Sequence, residues 1–278
     1  MARKINKNLL ERLKKGDLLE LFNYIKSDND LRFEVRREGK ACIYYRKGKA
    51  LEIGLRSFSA DKKYVKNTDF SMPDTKLAKE NPVEYFKLIK EIIDNWVDNI
   101  KKRPEFDTQQ NIAKNNQEIE DKYIILDMEY NFPQSEIAKT DRIKQAGFDL
   151  LGLERKTGKV VFFEVKKGLE RLKGKAGIHS HIKDFEKYLF GKHKVFFRGV
   201  LENDIRNIIS DKVALGLIAD YGLPPDFQIN DDVEFIFVFE PVNKDDKRNY
   251  ESIYDEETSC LPKTHKTIFV AENNHKLK

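Results

Sequence analysis

The residues best placed to do chemistry lie between Phe148 and Lys166, in the stretch FDLLGLERKTGKVVFFEVK. Asp149 stands near its start, and Glu164 and Lys166 near its end. Two apolar runs flank Lys156-Thr157-Gly158, so the stretch predicts two strands joined by a tight turn. Strand side chains alternate faces, which puts Glu164 and Lys166 on one side and Phe163 and Val165 on the other. Charged groups at the ends of apolar strands are costly unless paired, solvated or bound to a metal. Asp149 and Glu164 on neighbouring strands, with the backbone carbonyl of Val165, would suit Mg²⁺ or Mn²⁺, hard ions that take oxygen ligands. A metal so held activates water and polarises phosphate oxygens. Lys166 would orient the attacking water or offset charge on the phosphorus centre. The competing reading is a cross-strand ion pair at a sheet edge.

Spacing alone does not carry the signal. Glu38-x-Lys40, Asp61-x-Lys63, Asp74-x-Lys76, Glu120-x-Lys122, Glu154-x-Lys156 and Asp245-x-Lys247 share it in polar surroundings. Only Glu164-x-Lys166 follows an apolar run, Val160 to Phe163, and a preceding strand that carries an acid.

The elements that must position these groups read as an α/β chain with a central mixed sheet. An N-terminal region over 1–80 is expected as a small α+β unit. Its helical spacing runs from Asn6 to Lys26, interrupted at Gly16-Asp17, where a stop and an N-cap are expected. A three-stranded meander follows, turning at Glu38-Gly39 and Lys47-Gly48. The remaining residues, 81–278, form the second domain. Asn81-Pro82 opens an amphipathic helix ended by Pro104. A polar helix from Glu105 leads to the strand YIILDMEYNF, which carries Asp127 and Glu129. Beyond the hairpin, a Gly- and Lys-rich loop precedes the helix HSHIKDFEKYLF, and another helix is expected near Val200 to Ser210. VEFIFVFEPV and KTIFVAE read as strands, and Asp245 to Lys263 as irregular.

Among families, the stretch resembles the PD-(D/E)XK nuclease superfamily, with Asp149, Glu164 and Lys166 at the positions of its two acids and lysine. Phe148 replaces the signature proline. The surroundings resemble a group of uncharacterised bacterial proteins of that type, through Glu105, Gln109, Gln110 and Asn111, then Asp127 and Glu129, Arg142, and GIHSHIKDFEKY with His181. The resemblance covers about Glu105 to Leu189. It implies a restriction-endonuclease-like core, Mg²⁺- or Mn²⁺-dependent DNA cleavage in restriction, repair or defence, and a homodimer. Glu105 or Glu129 would complete the metal shell, and Asp127, Arg142 and His181 would be auxiliary. The alternative is a nuclease-fold module without catalysis that binds nucleic acid or a protein partner.

Charge is compatible with a nucleic-acid partner. Of 278 residues, 36% are charged, but the net charge is only +5, so clustering matters more than the sum. Lys167, Arg171, Lys173 and Lys175 cluster after Lys166 and would meet DNA phosphates. Two cysteines form no disulfide framework or zinc site. No segment reaches membrane-span length, so a cytoplasmic protein without a membrane partner is expected.

Overall fold

The computed structural model describes the chain except Met1 and residues 102–104, 141–145, 220–221, 224–226, 244–245, 260–264 and 271–273. It divides into two compact units: Met1–Gln110 with Arg206–Tyr221, and Asn111–Ile205 with Gly222–Lys278. The boundary drawn from sequence, between 80 and 81, falls inside the first. The reason is physical: the Tyr85 hydroxyl, on a helix beyond that boundary, donates to the Ala50 carbonyl at 2.8 Å inside the meander.

In the first unit, α1 (Lys7–Lys15) and α2 (Leu19–Ser27) precede four antiparallel strands. These are β1 (Arg32–Val35), β2 (Ala41–Tyr45), β3 (Gly48–Ile53) and β4 (Phe58–Ser59). The expected three-strand meander thus gains a fourth strand, only two residues long. Asp17 does not cap α2; it pairs with Arg12 and Lys79, each at 2.7 Å. The β2–β3 turn places both Arg46 and Lys47 at positive φ, the backbone a two-residue hairpin turn requires. Three aspartates, Asp94, Asp98 and Asp107, hold the Arg46 guanidinium there. After α3 (Leu77–Glu80), α4 (Pro82–Asn95) starts with proline under an Asn81 cap. It passes into a π-helical turn, Trp96–Lys101.

The unit boundaries fall inside α5 (Glu105–Asn115) and, later, α8 (Lys194–Ala214). Five strands make the sheet of the second unit: β5 (Tyr123–Asn131), β6 (Gly147–Glu154), β7 (Val160–Lys167), β8 (Glu234–Glu240) and β9 (His265–Phe269). β6 runs antiparallel to both of its neighbours, β5 and β7, while β8 and β9 run parallel to β7. The sheet is therefore mixed, with β7 at its centre. A parallel step from β7 to β8 needs a long crossover, and α7 (Ile178–Leu189) with α8 supplies it. A short α6 (Glu136–Thr140) precedes β6.

The core of this unit is aromatic. Phe185 of α7 stacks on Phe235 at 4.9 Å and meets Phe162 edge-on at 6.0 Å. α9 (Asp246–Thr258) places Tyr250 and Tyr254 against Phe239 and Phe237. That helix occupies 246–258 of the stretch from Asp245 to Lys263 expected to be irregular. Its composition is so polar that Tyr250 is its one fully buried side chain. α8 likewise runs well past the expected Val200–Ser210. Among the described residues, no helix is long and apolar enough to cross a membrane.

Candidate active site

The β6–β7 hairpin forms as the apolar runs dictate, with Gly158 at φ +70° in its turn. Its strands pair from Leu153↔Val160 to Leu150↔Phe163 and then part. Where the next pair would form, Asp149 Oδ2 instead accepts the Val165 N–H at 2.9 Å. The side chain thus replaces a backbone partner at a fork between strands. A strand residue's N–H and C=O point to the same edge, so the Val165 carbonyl faces the same fork. The parallel register to β8 continues through Lys167↔Glu240, which keeps β7 straight past the fork.

On the face covered by α7, Glu164 and Lys166 stand side by side. Lys166 Nζ donates to Glu164 Oε1 at 2.9 Å, and their side chains are 8% and 5% exposed respectively. The same spacing elsewhere gives surface pairs: Glu38 with Lys40 and Asp61 with Lys63 bond at 3.0 and 2.9 Å in solvent. Burial separates the site from its look-alikes. An isolated charge at such depth is expensive, whereas a hydrogen-bonded pair offsets most of that cost.

His181, in the first turns of α7, joins this pair. Its Nε2 lies 3.0 Å from Glu164 Oε1 and 3.2 Å from the Ala176 carbonyl. Two acceptors facing one nitrogen require that nitrogen to carry the proton. Burial, then the Lys166 charge, pushes the imidazole pKa down to about 4, against the opposing pull of Asp149 and Asp184. At neutral pH His181 is therefore an uncharged Nε2–H donor. His179 lies near the Glu257 carbonyl, 3.3 Å away, in a supporting place.

The remaining expected residues are distributed as follows. The register pairs Asp127 with Leu151, Met128 with Leu150 and Tyr130 with Phe148, and Glu129 and Asp149 each fall between the last two pairs. Asp127 is buried, and Glu129 is half-buried with φ +60°. An L-residue in that region is uncommon. Glu105 is buried and belongs to the first unit, whereas Asp149, Glu164 and Lys166 belong to the second. Gln110 is structural, accepting the Lys47 N–H at 2.9 Å and donating to the Asp30 carbonyl. Arg142 lies outside the described residues.

Among the expected phosphate ligands, Lys167 pairs with the buried Glu240 at 3.3 Å. Lys173 reaches Glu256 at 2.7 Å and Arg171 reaches Glu170 at 3.6 Å, both near solvent. The backbone at Lys175 lies in a one-turn helix, Gly174–Ala176. Sequence reading missed the Ala176 carbonyl and the Tyr250 hydroxyl, which accepts the Gly168 N–H at 2.7 Å. A backbone oxygen has no residue-type signature, and Tyr250 lies in the helix that was not foreseen.

As a donor set, two carboxylates and a backbone carbonyl match what Mg²⁺ takes from a protein, with water filling the rest. Among the described residues no group of three or more His, Cys, Asp or Glu is arranged to hold an ion. No family model, curated protein or solved structure matches this chain.

Proposed function

We propose that the chain is a Mg²⁺- or Mn²⁺-dependent nuclease of the PD-(D/E)XK type that hydrolyses DNA phosphodiester bonds. The observation that carries this reading is the buried convergence of Lys166 and His181 on Glu164 beside the fork held by Asp149. Asp149, Glu164 and the Val165 carbonyl would hold the ion, which supplies Lewis-acid polarisation of phosphate and acidification of water. Lys166 places an ammonium where negative charge develops on the phosphate, a stabilisation strengthened by its exclusion from solvent. Neutral His181 adds an N–H donor without adding charge. Glu164 keeps both donors oriented through one oxygen, Oε1. Arg171 and Lys173, at the surface, would add screened attraction for a polyanion.

A second reading, a nuclease-fold module that binds nucleic acid or a protein without cutting, draws on a different observation. Both donors already have internal acceptors, Glu164 and Ala176. Plasmid nicking with Mg²⁺ or Mn²⁺ separates the two. Glu164→Ala and Lys166→Ala are each expected to lower the nicking rate by roughly a hundredfold or more. Wild-type protein inert on duplex, single-stranded and branched DNA, with variants that bind equally well, would establish the module instead.

A further inference from the structure

Lys166 and His181 share not one acceptor but two. Lys166 Nζ lies 2.9 Å from both Glu164 Oε1 and the Ala176 carbonyl, and His181 Nε2 lies 3.0 and 3.2 Å from the same atoms. The four groups close a square with a carboxylate at one corner and a neutral carbonyl at the opposite one. Hydrogen bonds to an anionic oxygen are roughly twice as strong as those between neutral groups. The carbonyl is thus the weaker acceptor, and an anionic oxygen would replace it favourably.

The loop that brings Ala176 here is anchored at its base and exposed at its middle. Gly168 N–H is held by Tyr250, Ile178 N–H by the Leu172 carbonyl at 2.9 Å, and Leu172 is fully buried. Lys173, Gly174 and Ala176 are exposed. Lys173 reaches outward, to the exposed Glu256. Gly174 has φ +82°, and a Cβ built there meets nothing within 4 Å. Within the turn, the Gly177 N–H bonds the Gly174 carbonyl at 3.1 Å, a bond that outward movement of Ala176 breaks.

We infer that the Ala176 carbonyl occupies the seat of a phosphodiester oxygen, and that the segment from Gly168 to Gly177 is a gate displaced when that oxygen binds. Lys166 and His181 then pass their N–H bonds from the carbonyl to the phosphate oxygen while Glu164 stays in place. This rests on the proposed phosphodiester chemistry of the site, and it adds a closed state that substrate must open.

Gly174→Ala tests it without changing charge, because alanine resists the left-handed backbone of the closed turn, whereas Gly174→Asn tolerates it. Two measurements are made on the full chain: hydrogen exchange at the Gly177 amide, and anisotropy of a labelled phosphorothioate DNA duplex in chelator. In Gly174→Ala, exchange at Gly177 is expected to quicken and duplex affinity to rise, each roughly fivefold, with Gly174→Asn close to wild type. Unchanged or weaker duplex binding in Gly174→Ala overturns the gate, as does unaltered exchange at Gly177. A wild type that binds no duplex overturns it too. Tighter binding by Gly174→Ala with no cleavage under Mg²⁺ or Mn²⁺ supports the gate and rejects the nuclease. Normal cleavage with no effect of the alanine does the reverse.

Discussion

Glu34 shows how this chain handles a charge it cannot solvate. Its side chain is fully buried on β1, with Lys212 Nζ at 2.7 Å and Arg32 Nε at 2.8 Å. Burial alone would raise the carboxyl, but Lys212, Arg32 and Arg36 outweigh it and hold the pKa well below its ordinary value of 4.5. A depressed carboxylate contributes stability that is present above its unfolded-state pKa and lost as pH falls below it. The unfolding free energy from urea titrations should therefore drop between pH 4.5 and 3 by up to about 1.4 kcal/mol per pH unit from this residue. Glu34→Gln should flatten that slope, and an unchanged slope would refute the assignment. Lys166 with Glu164 repeats the arrangement at the candidate site, where the same burial can serve a reaction. None of this depth was visible in the residue types. Glu-x-Lys reads alike whether it lies in solvent at Glu38 or beneath α7 at Glu164.

At the level of elements, legibility followed the strength of local pattern. The β6–β7 hairpin was readable because Val160 to Phe163 and Leu150 to Leu153 are apolar and a glycine turn separates them. β8 was readable from Phe235 to Phe239. α9 was not, because its packing rests on Tyr250 and Tyr254 amid charged and polar residues, a periodicity too sparse to stand out. The positive φ at Glu129 also escaped notice, since glutamate advertises no such backbone. α7 matters most for the site, as it carries both His181 and the aromatic anchor that seats the helix. Phe185→Ala removes the ring stacked on Phe235 and should cost about 3–5 kcal/mol in chemical denaturation. The His181 Nε2 proton resonance should shift in the same variant, because the helix loses its seat on the sheet. A loss under 1 kcal/mol would mean that the cavity collapses or that Phe185 is not the anchor.

Across the whole molecule, the chain passes from the first compact unit into the second, returns for 206–221, and leaves again. No local pattern announces such a return, because it depends on pairings far apart in sequence, such as Ile5 N–H to Asp211 and Glu34 to Lys212. A fragment ending at Gln110 keeps the four-stranded sheet but strands Glu34 without Lys212. Breaking a buried ion pair by removing one partner costs about 3–5 kcal/mol, comparable to the total stability of a small domain. That fragment is expected to show no cooperative thermal transition by circular dichroism, and a sharp transition would contradict this. The interleaved course also sets a timetable. On a ribosome adding about 5–20 residues per second, the first sheet emerges early yet waits for residue 212 before its buried glutamate gains its lysine partner. Synonymous changes that slow translation between 111 and 212 would lengthen the wait.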